Sequence, residues 1–259
     1  MKIASKKFGA TLAGRVCFTL VVAAAIALQA SASETLAVSP KPVGAESHVT
    51  TALTGEAKRA DFKDSTPSDE ARGLADWVLD SDNNRRLPFL IIDKKEARVF
   101  AFHPDGQLRG VAPVLLGMAI GDDSVPGIGQ RKLSTIQQSE RTTPAGRFVA
   151  ALDRNLHGVE ILWVDYDAAI SLHRVVTGTP NERRAQRLAS PTPLDNRISF
   201  GCINVPVKFY DKVISPAFKG TNGIVYVLPE TRSAREVFGS YDVGQHRRQQ
   251  GARASAQGE

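Results

Sequence analysis

Cysteine is nearly absent from this chain: Cys17 and Cys202 are the two in 259 residues. No set of His, Cys, Asp and Glu has the spacing of metal ligands, so the sequence implies no metal. There is no glycine-rich phosphate loop and no internal repeat. The apolar run Val16–Leu28 is about 13 residues long, short of the ~20 that span a bilayer as a helix. Charge of one sign is also scarce once the N-terminus is set aside. The formal net charge is +6, but residues 1–32 hold four of the 33 Lys and Arg and no acid. The remainder has 29 basic and 27 acidic residues, a net +2. The basic balance therefore gives little support to a nucleic-acid partner, and none is expected.

What the N-terminus does contain is an export signal. Lys2, Lys6, Lys7 and Arg15 precede the apolar run, and Ala30-Ser31-Ala32 follows with small residues where a signal peptidase needs them. Residues 1–32 are read as a secretory signal peptide, with an uncleaved membrane anchor as the alternative. An exported protein in the periplasm or cell envelope is expected, touching the membrane only if that segment stays. Cleavage removes Cys17. The mature chain then carries one thiol in a compartment that favours disulfides. Cys202 is thus either an inert buried residue or one kept for its chemistry.

Residues 33–84 are read as a flexible linker, poor in large apolar residues, with a short helix possible at Ala71–Leu79, where Leu74, Trp77 and Val78 share a face. The folded domain is placed at 85–230. Leu87–Ile92, Ala97–Phe102 and Leu108–Leu116 read as a β-meander, joined by the turns Asp93-Lys94-Lys95-Glu96 and Pro104-Asp105-Gly106. Further strands are predicted at Arg147–Leu152, Glu160–Tyr166, Ala169–Val176 and Gly223–Leu228, and a helix at Val207–Ile214 behind Pro206. The fold class is mainly β, packed sheets with one or two short helices. Two polar inserts, 121–142 and 181–196, interrupt the pattern, either as binding loops or as surface decoration. Residues 231–259 read as a disordered basic tail.

Cys202 lies in Ser199-Phe200-Gly201-Cys202-Ile203-Asn204. A glycine before a nucleophile permits a tight turn, and the N–H groups of Gly201 and Cys202 are candidates for an oxyanion hole. A thiolate needs a base or a positive neighbour. His173 is the candidate, sharing a strand face with Ser171 and Val175. His103 and His157 sit beside turn signals, where a solvated histidine needs no further role. Asp165 and Asp167 either end a strand or bind a substrate amine.

These residues resemble the catalytic domain of the L,D-transpeptidases (the YkuD domain). That family's signature is an upstream His, then Ser or Thr, His-Gly-Cys, an apolar residue and often Asn. Ser199, Gly201, Cys202, Ile203 and Asn204 match it, and His173 resembles the upstream His. A second motif, Thr-Pro-x-Gly-x-Phe, is matched by Thr143-Pro144-Ala145-Gly146-Arg147-Phe148. The likeness covers roughly 87–229. Phe200 stands where the family usually has histidine, Arg174 stands where a small residue is common, and 29 positions separate His173 from Cys202, more than is usual.

The resemblance implies acyl transfer on peptidoglycan stem peptides without a cofactor. A thioester forms at Cys202 and is resolved by an amine, to cross-link or to exchange a D-amino acid. Ser199 and Asn204 would position the loop or substrate, and Arg197 either binds a substrate carboxylate or is an exposed charge with no role. A cysteine carboxypeptidase or hydrolase of the same fold differs only in the nucleophile that reaches the thioester. A non-catalytic peptidoglycan-binding protein is the alternative that Phe200 keeps open. No oligomeric state is implied.

Overall fold

The computed structural model describes residues 57–257. The expected signal peptide and the first part of the expected linker lie outside the described residues.

Ten strands carry the fold: β1 Phe89–Asp93, β2 Arg98–Phe102, β3 Leu108–Pro113, β4 Leu116–Gly117, β5 Gly146–Arg154, β6 Glu160–Asp165, β7 Ile170–Arg174, β8 Arg197–Ser199, β9 Ile203–Val205 and β10 Gly223–Val227. Eight form one mixed sheet in the order β3-β2-β1-β10-β5-β6-β7-β9, and β4 pairs with β8 in a short parallel ladder. The chain leaving β3 turns to meet the opposite edge: Leu115 and Asn204 exchange backbone hydrogen bonds of 2.8 and 2.9 Å. The sheet is thereby nearly closed into a barrel, which leaves few open edges. The fold is mainly β, as the strand count predicts, with one large curled sheet and the short β4-β8 sheet beside it.

Residue alternation along the central strands explains their unbroken apolar runs. On β1, Leu90 and Ile92 face the barrel interior with Val99, Ala101, Leu162, Leu172, Ile203 and Val225. Phe89 and Ile91 face outward, into a second core with Phe100, Phe102 and Tyr226. A strand buried on both faces has no polar alternation.

The inner core is plugged by the helical segment behind Pro206. It runs as α3 Val207–Phe209, a π turn Tyr210–Ile214 and α4 Ser215–Phe218, numbering α1 Asp69–Asp80 and α2 Arg184–Leu188 before it. Tyr210, Ile214 and Phe218 enter the core. Pro216 has no N–H to continue the α ladder, which is a local reason for the wider turn before it. The segment extends one turn beyond the predicted Ile214.

The outer core needs its own cover, and segments assigned to the linker and the tail provide it, α1 standing where a short helix is expected at Ala71–Leu79. α1 is capped by Ser68, whose Oγ accepts the Ala71 N–H at 3.1 Å. It buries Ala71, Leu74, Ala75 and Val78, spaced as one helix face. Ala60 and Phe62 are buried ahead of it. The expected linker is therefore ordered from about residue 60 onward. The expected disordered tail is likewise corrected. α5 Ala234–Phe238 starts in a Ser233/Glu236 capping box, and α6 Val243–Ala256 is capped by Asp242. Phe238 packs edge-on to Tyr226, Tyr241 donates to Asp80 at 2.9 Å, Val243 is buried, and Arg247 pairs with Asp80. A few well-placed contacts order these segments despite their polar composition. With them, the helices outnumber the expected one or two.

Candidate active site

β7 and β9 pair in parallel and set His173 opposite Asn204. Cys202 precedes β9 directly, so this one pairing brings the cysteine beside the histidine across the insert between them. Ser171, two residues before His173, lies on the same strand face. Its Oγ is 3.7 Å from Cys202 Sγ, and the Ala169 carbonyl lies 3.6 Å from the sulfur on the other side.

The pair is electrostatically coupled. Burial pushes the Cys202 thiol up, but hydrogen bonding and attraction from His173, with hydrogen bonds from Ser171, outweigh it and leave the thiol below its ordinary value. Burial likewise opposes charge on His173. Hydrogen bonding and attraction to Cys202, then the Arg174 carbonyl, outweigh that and raise the ring, against the charge of Arg184. Both shifts favour a thiolate–imidazolium pair. The tautomer is fixed by neighbours: His173 Nδ1 lies 2.8 Å from the Arg174 carbonyl and so carries its hydrogen, while Nε2 faces Asn204 Nδ2 at 3.5 Å. His173→Gln removes the cation, so the thiol should titrate higher than in the wild type. A pH series of Cys202 alkylation rates measures it, and an unchanged curve would take His173 out of the site.

The loop before Cys202 is held from several directions. Ser199 is buried; its Oγ donates to the Cys202 carbonyl at 2.6 Å and accepts the Gly201 N–H at 3.0 Å. Asn204 is fully buried, with Nδ2 3.3 Å from that same carbonyl and Oδ1 accepting from Arg184 Nη1 at 2.7 Å. Both residues hold the loop and the histidine in place, and both also line the cleft onto which Cys202 opens. The Gly201 N–H, spent on Ser199, is removed from the expected oxyanion hole, which leaves the Cys202 N–H as its candidate donor.

Gly201 has φ +125°, and a Cβ there would lie 2.6 Å from the Thr142 carbonyl oxygen and 2.7 Å from Ile170 Cδ1. Gly201→Ala is expected to cost about 1–3 kcal/mol in backbone strain and to lower acylation. Denaturant unfolding together with Cys202 alkylation would check both, and a variant of wild-type stability and reactivity would contradict this account.

Thr143, in the Thr-Pro motif, has a structural role that its sequence position did not disclose. Its Oγ1 donates to the Gly201 carbonyl at 2.8 Å and accepts the Gly117 N–H at 2.8 Å, fully buried. It ties the cysteine loop to β4. Arg174 also has a role: its side chain donates to Asp211 Oδ1 and the Glu160 carbonyl and lies over the Tyr210 ring, fixing the end of β7 to the core helix.

Arg197 is not available to a substrate. It pairs with Glu230, donates to the Lys94 carbonyl at 3.0 Å, and is 8% exposed. Lys94, read as a turn residue, is 0% exposed and donates to Asp122, the Gly121 carbonyl and the Thr143 carbonyl. Asp165 accepts the N–H groups of Asp167 and Ala168 and so shapes the β6–β7 turn, and His103 and His157 are exposed.

Cys202 and His173 open on a cleft of about 340 Å³ lined also by Leu133, Val176, Glu182, Arg184 and Phe200. Both polar inserts therefore reach the site, Leu133 from the first and Glu182 and Arg184 from the second. Phe200 forms part of the wall, with the Arg141 guanidinium 3.8 Å from its ring centroid. An apolar hollow of about 680 Å³ adjoins on the far side of His173, lined by Leu156, Val159, Trp163 and Val207 among others. Sequence alone did not single out Arg184 or Leu133 as lining residues, because nothing local marks them; Ser171 was marked only by sharing the strand face of His173. Among the described residues, no helix is long and apolar enough to cross a membrane.

No protein-family model and no curated protein matches the chain. Solved structures that it is similar to include the helical cell shape determining protein Pgp2 from Campylobacter jejuni, at 16% identity over 57% of this chain and 49% of that one, TM-score 0.36. An L,D-transpeptidase from Xylanimonas cellulosilytica aligns at 12% identity over 54% and 60%, TM-score 0.34. The catalytic domain of the E. faecium L,D-transpeptidase aligns at 16% over 54% and 96%, TM-score 0.31. The chain spans about half the length of the Pgp2 chains. Likenesses this distant carry no argument about activity.

Proposed function

We propose that the protein is a cysteine acyltransferase of the L,D-transpeptidase kind, acting on peptidoglycan stem peptides in the cell envelope. The observation that carries this is the His173–Cys202 pair on an open cleft, with its thiol held below the ordinary range. The motifs around Cys202 and Thr143 supply the substrate class by resemblance, and the export signal supplies the location.

His173 Nε2 takes the thiol proton, leaving a thiolate beside an imidazolium. The sulfur attacks the carbonyl carbon of the peptide bond that precedes the terminal D-amino acid. A C–S bond forms, and the carbonyl electrons move to oxygen, beside the Cys202 N–H. When the tetrahedral centre collapses the C–N bond breaks, and His173 returns its proton to the departing amine. The thioester then awaits a second nucleophile. An amine from a neighbouring peptide gives a cross-link, a free D-amino acid gives exchange, and water gives trimming.

Incubating protein with tetrapeptide muropeptides and weighing the products by mass spectrometry tests the reading. A cross-linked dimer supports the transpeptidase. Loss of the last D-alanine without dimer replaces it with the carboxypeptidase. Absence of both product and acyl adduct from folded protein would overturn the enzyme and favour a wall-binding role.

A further inference from the structure

We propose that Arg184 forms a carboxylate subsite beside Cys202, which selects acyl donors that end, with a free α-carboxylate, one residue past the scissile bond. The proposal rests on the acyl-transfer reading above and adds to it a residue that the motifs do not contain.

Arg184 comes from the second polar insert, at the start of α2, and not from any element of the sheet. Its guanidinium is fixed at two corners. Nε donates to Glu182 Oε2 at 2.5 Å, and Nη1 donates to Asn204 Oδ1 at 2.7 Å. The third nitrogen, Nη2, donates to no atom among the described residues, and it is not enclosed. The side chain as a whole is 14% exposed. It lies on the wall of the cleft that holds Cys202 and His173.

Glu182 offsets part of the charge, but Arg187 packs against the same turn and donates to the Glu182 carbonyl at 3.0 Å. The Arg184 hydrogen bond, with the charges of Arg184 and Arg187, holds the Glu182 carboxyl below its ordinary value. Asn204 connects the guanidinium directly to the catalytic loop, since its other amide corner contacts the Cys202 carbonyl.

A guanidinium held at two corners, with a donor edge left open, is arranged for a planar anion. In a peptide acyl donor the group that fits is the α-carboxylate of the leaving residue, separated from the scissile carbonyl carbon only by the amide nitrogen and one Cα. An internal peptide bond has no anion at that place, and a donor one residue longer sets its carboxylate too far out. Arg197, the arginine nearer the motif in sequence, does not line this cleft and is held by Glu230 and the Lys94 carbonyl.

The test uses two readouts on the full chain, wild type and Arg184→Gln. The first is alkylation of Cys202 by iodoacetate and by iodoacetamide, followed by mass spectrometry of the Cys202 peptide so that Cys17 does not contribute. In both reactions the thiolate displaces iodide, and only iodoacetate brings a carboxylate with it. The variant should lose about tenfold or more in iodoacetate rate relative to iodoacetamide. The neutral reagent corrects for any general disturbance through Asn204, and Arg184→Lys should retain part of the preference because it keeps the charge without the fork. The second readout compares kcat/KM for a tetrapeptide donor and its C-terminal amide. The wild type should prefer the acid at least tenfold, and the variant should lose most of that preference.

An iodoacetate-to-iodoacetamide ratio that Arg184→Gln does not change would overturn the subsite. So would a wild type that processes acid and amide equally, and acyl transfer itself would then stand. The opposite pattern, an Arg184-dependent ratio with no turnover of either peptide, would sink the acyl-transfer reading and leave the carboxylate subsite in place.

Discussion

Cys202→Ala is expected to reduce thioester formation and product release by about 10⁴-fold or more while leaving the fold intact. Among the described residues the sulfur bonds to no other cysteine. Its neighbours are the Ser171 hydroxyl and the Ala169 carbonyl, at 3.7 and 3.6 Å. Losing them should change stability by no more than about 1 kcal/mol. Cys202→Ser should be nearly as inactive, since a hydroxyl has no accessible anionic form for His173 to stabilise. Mass spectrometry of donor incubations, next to a melting curve, separates the two effects. Turnover surviving in the alanine variant would end the assignment of Cys202 as nucleophile. The pH dependence has a definite sign as well. Activity should rise with pH as the lowered thiol ionises and fall as the raised His173 loses its proton, since the reactive pair exists only between those two events.

Asp122→Asn should destabilise the fold by about 3–5 kcal/mol. Asp122 and Lys94 form an ion pair of 2.9 Å with both side chains 0% exposed. Asp122 also accepts the Thr231 hydroxyl and the N–H groups of Glu230, Thr231 and Arg232. Glu230 joins from the other side, 3.5 Å from Lys94 and paired with Arg197. The substitution leaves the Lys94 ammonium buried with its nearest counter-charge gone. Lys94→Met should cost a similar amount. The double variant Lys94→Met/Asp122→Leu should lose less than the two single losses combined, because it leaves no orphaned charge. Denaturant melts measure all three, and a loss below about 1 kcal/mol in both single variants would show that the network does not support the fold.

Acid acts on the same group. Burial pushes Asp122 up, but the Thr231 hydroxyl, Lys94 and the backbone N–H donors outweigh it and hold the carboxyl well below the usual range. A carboxyl lowered on folding contributes its full stability above its unfolded pKa of about 3.9. That contribution is lost as the pH falls from there toward the folded value. The wild type should therefore weaken below about pH 4, and Asp122→Asn should lack this part of the acid dependence.

The legible parts of the sequence were those where one local rule acts. Strands buried on one or both faces announced themselves as β-branched runs, and Pro206 marked the start of the core helix. Glycine before Cys202 signalled a turn that Cβ atoms cannot occupy, which Gly201 at φ +125° bears out. The scarcity of cysteine singled out Cys202 without any structure. Composition misled where few contacts suffice. α6 lies in a polar stretch, yet Val243 and the Arg247–Asp80 pair tie it down; α1 was legible from the shared face of Leu74, Trp77 and Val78, and it covers the apolar outer face of β1, β2 and β10.

By itself, then, the sequence determined the mainly β class, the nucleophile candidate and the histidine on its strand, since alternation, glycine sterics and thiol scarcity are properties of short segments. Only the tertiary structure decided which polar side chains serve the site. Arg197 and Lys94, both open to a surface reading, are consumed by buried ion pairs. Ser199 takes the Gly201 N–H out of the oxyanion hole. Thr143 and Arg184, far from Cys202 in one case and in a loop of no evident purpose in the other, arrive beside the cysteine loop. Each outcome depends on where a hydrogen-bonding partner distant in sequence comes to lie, and that is fixed only when β7 meets β9 and the curled sheet brings its edges together.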